Sequence, residues 1–289
     1  MEFGRASLSL GKGSSADMPT RASPIGVFDS GIGGLTVVRE LLKVLPKEPI
    51  VYLGDTARVP YGNKSRDTVV KFSTENVLFL LHHGVKLIVI ACHTASSFAL
   101  PFLERHFKHP ILGVIEPGVE TALAVSRSGR IGVIGTYATV GSKAYLHSFA
   151  RHHRKARVTQ VPCPLFVPLV EEGCVNDPLA RQVARRYLRP LKAARVDTVI
   201  LGCTHYPLLK QTIAQVMGPK VTLIDSARQV ALKARVVLKE MDLTAPQGNG
   251  THPSRRFFVT DEPRHFAVLS RRFLGRQPGD VSKVDVSKI

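Results

Sequence analysis

Tryptophan is absent from the 289 residues, and aromatic residues make up only 7% of them. Bulky ring anchors are therefore scarce. No basic run is interleaved with aromatics in the manner of a base-stacking platform, which argues against a nucleic-acid partner. Cysteine is scarce as well, at four: Cys92, Cys163, Cys174 and Cys203. None forms a Cys-x-x-Cys pair, so neither a zinc knuckle nor a dithiol redox motif is indicated. The chain is too long and too cysteine-poor for a disulfide scaffold. No continuous apolar run reaches the roughly 18 residues of a membrane span, so no membrane partner is expected. The complete G-x-G-x-x-G fingerprint of a dinucleotide loop is also missing. Residues 1–23 lack the apolar segment of a signal peptide and read as a disordered leader. Free thiols fit a reducing, cytoplasmic setting.

Hydrophobic residues make up 44%, enough for a large core, and the formal net charge is +18. Such a balance suits nucleic acid, an anionic surface or a small anionic substrate. With the cysteines considered, the small anion carries most weight. The densest basic stretch, His147 to Val158, reads as an exposed helix end and turn.

Short apolar, β-branched runs alternate with helix-spaced segments over roughly two hundred residues, the pattern of parallel sheets covered on both faces. Expected strands include Ile25–Phe28, Pro49–Leu53, Leu87–Ala91, Pro110–Ile115, Arg130–Ile134, Arg157–Val161, a run ahead of Cys203, Val221–Ile224 and Arg256–Thr260. The last residues look frayed. One run, VKLIVIACHTASS (Val85 to Ser97), ends in Cys92, His93 and Thr94. Far downstream VDTVILGCTHYP (Val196 to Pro207) repeats the hydrophobic run and the Cys-Thr pair, with His205 behind. The expected architecture is α/β: two three-layer domains with mostly parallel sheets, pseudo-symmetric, and a site in the cleft between them. Ligands of open α/β sheets bind at strand C-terminal ends. Asp29-Ser30 follow the first strand, and Gly31, Gly33 and Gly34 permit a tight turn. That turn suits either a phosphate loop or a helix N-terminus facing a small anion.

A thiol must ionise to act as base or nucleophile, and helix N-terminal amides or a basic neighbour favour the thiolate. Both cysteines stand where a helix begins. Asp29 and His205 are placed to share a proton with them. Thr94, Thr204, Ser30 and Thr136 offer hydroxyls to carboxylate oxygens. A cysteine hydrolase leaves the second strand-end thiol unexplained. A metal site from Cys92, His93, Cys203 and His205 is chemically conceivable, but the ligand spacing within each pair is too close. A two-base racemase uses both thiols, one removing an α-proton and the other delivering one to the opposite face. It needs no cofactor and no metal.

Several motifs then carry a resemblance. They are FDSGIGG (Phe28 to Gly34), GDTARVPYG (Gly54 to Gly62), IACHTAS (Ile90 to Ser96), GVIEPG (Gly113 to Gly118) and VIGT (Val133 to Thr136). PLFVPLVEEG (Pro164 to Gly173), LGCTHYPLL (Leu201 to Leu209), LIDSA (Leu223 to Ala227) and FFVTDEP (Phe257 to Pro263) complete the set. Together, from Pro24 to about Gly275, the chain resembles the glutamate racemases of the cofactor-independent aspartate/glutamate racemase family. The resemblance implies interconversion of L- and D-glutamate, supplying D-glutamate for peptidoglycan. By that pattern Cys92 handles the proton of the D-enantiomer and Cys203 that of the L-enantiomer. Asp29 assists the first and His205 the second. Ser30, Pro60, Tyr61, Gly62, Thr94, Thr136 and Thr204 match substrate-holding positions, and Asp55 and Glu171 match acidic residues lining the site. His93 stands where the family usually has Asn, on the substrate's amino group. The implied first domain takes residues 24–116 and, after a second domain over 117–225, residues 226–275, leaving 276–289 as a tail. A homodimer is implied. The alternatives are a racemase of aspartate on the same scaffold and a basic nucleic-acid or partner-binding protein.

Overall fold

The computed structural model describes residues 19–153, 155–246 and 253–288. Most of the expected leader lies outside them, as do residues 247–252. Residues 19–23 are tied down rather than disordered. Arg21 pairs with Asp242 at 2.5 Å, and its carbonyl accepts from the fully buried Lys86 ammonium at 2.6 Å.

Among the described residues ten strands build two sheets, and all their pairings are parallel. In chain order they are β1 (Ile25–Asp29), β2 (Ile50–Gly54), β3 (Leu87–Ile90), β4 (Ile111–Gly113), β5 (Arg130–Gly135), β6 (Arg157–Pro162), β7 (Thr198–Gly202), β8 (Thr222–Asp225), β9 (Arg255–Val259) and β10 (Val281–Lys283). The first sheet runs β10-β9-β2-β1-β3-β4, and the second runs β6-β5-β7-β8. Each has the same kernel. A founding strand, β1 or β5, is flanked by the next strand on one side and by the third and fourth on the other. β3 and β7 are therefore equivalent, and they are the strands that carry Cys92 and Cys203. This is the pseudo-symmetry expected from the two Cys-Thr runs.

The helices are α1 (Leu35–Val44), α2 (Arg66–His82), α3 (His93–Phe98), α4 (Leu100–His106), α5 (Ile115–Val125), α6 (Tyr137–Gly141), α7 (Ala144–His152), α8 (Phe166–Glu171), α9 (Pro178–Ala193), α10 (Lys210–Met217), α11 (Ser226–Glu240) and α12 (Pro263–Leu274). β1, β2, β3 and β7 are buried along their whole length, as near-continuous apolar strands between helix layers must be. No helix among the described residues is long and apolar enough to cross a membrane.

Two expectations are corrected. The strand read through Ile115 stops at Gly113, and α5 takes over with Glu116 and Pro117 in its first turn. Proline costs little there, because first-turn amides have no intrahelical acceptor to lose. The frayed tail instead adds an edge strand. Val281–Lys283 pair with Phe257–Val259, and Val286 is buried against the first sheet's core.

Candidate active site

Parallel strands present all their C-terminal ends on one edge, so the residues just after β1, β3, β5 and β7 meet at the cleft. A cavity of about 380 Å³ lies there. Among its lining residues are Ser30, Pro60, Tyr61, Gly62, Cys92, His93, Thr94, Thr136, Glu171, Cys203, Thr204 and His205. Both strand-end thiols thus face one space. Of the expected site residues, only Asp29 and Asp55 stand outside the wall.

The halves touch directly at this point. Thr94 Oγ1 lies 3.1 Å from Thr136 Oγ1. Gly33 packs so tightly that a methyl group in its place would strike Thr204 Oγ1 and lie 2.6 Å from the His205 ring. Glycine is required there by close approach, not by backbone angle.

Cys203 stands at the head of a relay. Its Sγ lies 3.9 Å from His205 Nδ1, and His205 Nε2 donates to Glu171 Oε1 at 2.9 Å. Burial pulls the imidazole pKa down, but the sulfur and the carboxylate outweigh it and push the value up to about 10. At neutral pH His205 is therefore a cation, held between the Cys203 sulfur and the Glu171 side chain. Glu171 does line the cavity, and its second role is to hold this ring.

Cys92 has a different setting. It caps α3, its sulfur accepting from the Ala95 amide at 3.5 Å while its thiol faces Ser30 Oγ at 3.5 Å. Such amides were expected to favour the thiolate. Burial wins instead and, with the charge of Asp29, pushes the thiol up to about 12, against the smaller pull of Ser30 and the Ala95 amide. Asp29 makes no hydrogen bond to Cys92. Its Oδ2 accepts from the Gly31 amide at 3.0 Å, its Oδ1 is buried without a partner, and burial raises its own pKa. Ser30 occupies the contact position foreseen for Asp29.

Asp55 is corrected more firmly. It is fully buried and receives the Tyr61 hydroxyl, the Arg58 guanidinium and, at 3.0 Å, the Thr260 hydroxyl. It seats Tyr61 and the adjoining loop rather than facing the cavity. Sequence alone shows an acid after a strand; the fold shows it consumed by Arg58 and Tyr61 of the following loop and by Thr260, which β9 brings from two hundred residues downstream.

His93 is 4% exposed, with both ring nitrogens unpartnered, and burial alone pulls it down to about 3. It is a neutral ring beside Cys92. Missed wall residues include Tyr137, Pro164, Val167 and Pro168. The two prolines bracket LFV in a segment whose apolar character reads only as core.

No lysine or arginine lines the cavity among the described residues. The +18 charge is therefore not concentrated on the expected small anion; His205 supplies the local cation, and hydroxyls and backbone amides do the rest. Cys92, His93, Cys203 and His205 do not bring three ligand atoms together. Among the described residues only Glu116, Glu120 and His152 do, within 4.8 Å. Glu116 is already bound to Ser148, Arg151 and His152, which also accounts for part of the basic stretch on α7. Cys163 and Cys174 are free thiols outside the cavity wall.

A family model described as Asp/Glu/Hydantoin racemase matches residues 25–234. The chain belongs to that family. Its relatives include a glutamate racemase of Geobacter metallireducens, 48% identical over 270 residues, covering 93% of this chain and 98% of that one. Among solved structures, a glutamate racemase isoform of Bacillus anthracis superposes with a TM-score of 0.87 at 39% identity, covering 91% of this chain and 97% of that one. The glutamate racemase of Francisella tularensis in complex with D-glutamate gives 0.86 at 38%, covering 93% and 100%. Family members therefore share this two-sheet frame over nearly their whole length.

Proposed function

We propose that this protein interconverts L- and D-glutamate by two-thiol α-proton transfer, without a cofactor, and so supplies D-glutamate for peptidoglycan. The carrying observation is that Cys92 and Cys203, on equivalent strands of two like sheets, line one cavity. In the resting protein Cys203 stands beside protonated His205, while Cys92 holds its proton. L-Glutamate enters with its α-hydrogen toward the Cys203 sulfur. The sulfur takes that proton, leaving an electron pair on the α-carbon, and Cys92 gives its proton to the opposite face. The product is D-glutamate, with Cys203 as thiol and Cys92 as thiolate. The reverse reaction runs through the same states backwards.

The carbanion is the costly species, and donors fixed in a water-poor cavity stabilise it without reorganising. Ser30, Thr94, Thr136 and Thr204 supply hydroxyls to the carboxylates, with Pro60, Tyr61 and Gly62 shaping the wall. His93, neutral, accepts from the substrate amine. Asp29 acts as a buried charge near Cys92, Glu171 as the partner of His205, and Asp55 through Tyr61. The relatives named above are glutamate racemases, which supports the substrate assignment. A homodimer in a reducing cytoplasm fits the free thiols and the family.

The test is α-proton exchange in deuterated water with each enantiomer of glutamate and aspartate. Wild-type protein is expected to exchange and racemise glutamate. Cys92→Ser and Cys203→Ser are each expected to lose racemisation by several orders of magnitude with the fold intact. Exchange of aspartate alone would reassign the substrate; full turnover in either serine variant would end the two-thiol mechanism.

A further inference from the structure

α12 contributes nothing to the cavity wall, yet it reaches the working residues from the other half of the molecule. It follows β9 of the first sheet and packs on α1 and β10. Its last turn touches α8, which precedes β7 of the second sheet and ends in Glu171. Arg272 Nη1 donates to the Val170 carbonyl at 3.1 Å and also to the Glu171 carbonyl. These are C-terminal helix carbonyls, the end of a helix that a cation suits best, and the Val170 carbonyl also accepts from the Gly173 amide at 3.1 Å. Gly173 then turns away with φ +85°, and a methyl group there would lie 2.8 Å from Arg272 Nη2. Next to Arg272, the fully buried Phe273 ring meets the His205 ring edge to face, centroids 5.1 Å apart at 81°. Two consecutive side chains from one half thus hold both members of the Glu171–His205 couple in the other.

We propose that Arg272 and Phe273 are positioning residues for the Cys203 side of the reaction: Arg272 fixes the end of α8, so that Glu171 stays on His205 Nε2, and Phe273 sets the ring plane. This deepens the racemase reading and rests on it for its catalytic meaning. Neither residue touches the reacting atoms. Their contribution is to keep the imidazolium aligned with Cys203 while the sulfur alternates between thiolate and thiol. Because the contact spans both halves, it also holds the cleft closed on the Cys203 side.

The experiment follows the His205 ring by NMR in the full chain, alongside steady-state kinetics. Arg272→Ala is expected to move the His205 titration to lower pH, since a displaced Glu171 stabilises the imidazolium less. It is also expected to lower kcat roughly two- to tenfold, the worth of one or two hydrogen bonds, with KM little changed. Arg272→Lys keeps a donor and a charge and restores part of both. Arg271→Ala, at the equally exposed neighbouring position, changes neither. Phe273→Leu lowers kcat in the same sense. An unmoved His205 titration and unchanged kcat in Arg272→Ala would overturn the proposal. If the alanine variant does not fold, Arg272→Gln and Arg272→Lys give the same two readouts. Absence of glutamate turnover in the wild type would sink the racemase reading, while the His205 titration still tests the clamp.

Discussion

At the scale of single residues, burial and neighbouring charge move the site's two histidines away from their ordinary proton affinity in opposite directions. His93 shows what this does to stability. Burial lowers its pKa from 6.5 to about 3, so between those values the unfolded chain binds a proton that the folded chain refuses. Stability then rises with pH through that window and is lost on acidification, by roughly 1.4 kcal/mol per pH unit for one proton. His93→Asn is expected to flatten the slope by about one proton between pH 4 and 6, read by urea titrations at several pH values. An unchanged slope would show that the ring is accessible to protons in the folded state. His205 runs the other way. Its contribution is complete below pH 6.5 and disappears as pH rises through about 10. Asp55 matters through its contacts alone: it is a fully buried side chain with three partners and no share of the cavity wall. Removing one member of such a buried group strands the others. Asp55→Ala is expected to cost about 3–5 kcal/mol in denaturant midpoint analysis and to raise KM through the loosened Tyr61 loop.

At the scale of elements, the strands were legible because buried parallel strands must be apolar along their length. The Cys-Thr repeat pointed to equivalent strands, and β3 and β7 are those strands. What escaped was whatever depends on long-range pairing. β10 reads as a polar tail, and only its pairing with β9 gives Val281–Lys283 an extended form. α3 gives way to α4 at Ala99, two residues before Pro101, which has no amide to donate back along the helix. Pro190, by contrast, sits inside an unbroken α9. The turn after β1 was legible as a tight one, but not the reason for Gly33, which is contact with Thr204 and His205 from the opposite half. Gly33→Ala is expected to force those elements apart, destabilising the protein by roughly 1–3 kcal/mol and abolishing most turnover. Thermal melts and exchange kinetics on one preparation check both effects; near-normal activity would mean that the halves approach less closely in solution.

At the scale of the whole molecule, two like sheets face one another but their working edges differ. One side has the Cys203–His205–Glu171 relay, the other a capped thiol over a buried aspartate. The resting proton arrangement therefore favours one enantiomer as the first to react. kcat and KM measured from L- and from D-glutamate are expected to differ severalfold, while the ratio kcat/KM agrees in the two directions, because the enantiomers have equal free energy. Equal kcat and equal KM in both directions would contradict so uneven a pair of flanks.

The shared strand order carries a consequence of its own. A polypeptide is handed and cannot contain a true mirror plane, yet its ligand must be met in both mirror forms. Two copies of one topology, turned to face each other, provide a rotation where a reflection is unavailable. Each copy is then free to drift in its local chemistry, provided that the spacing between the two sulfur-bearing rims is kept.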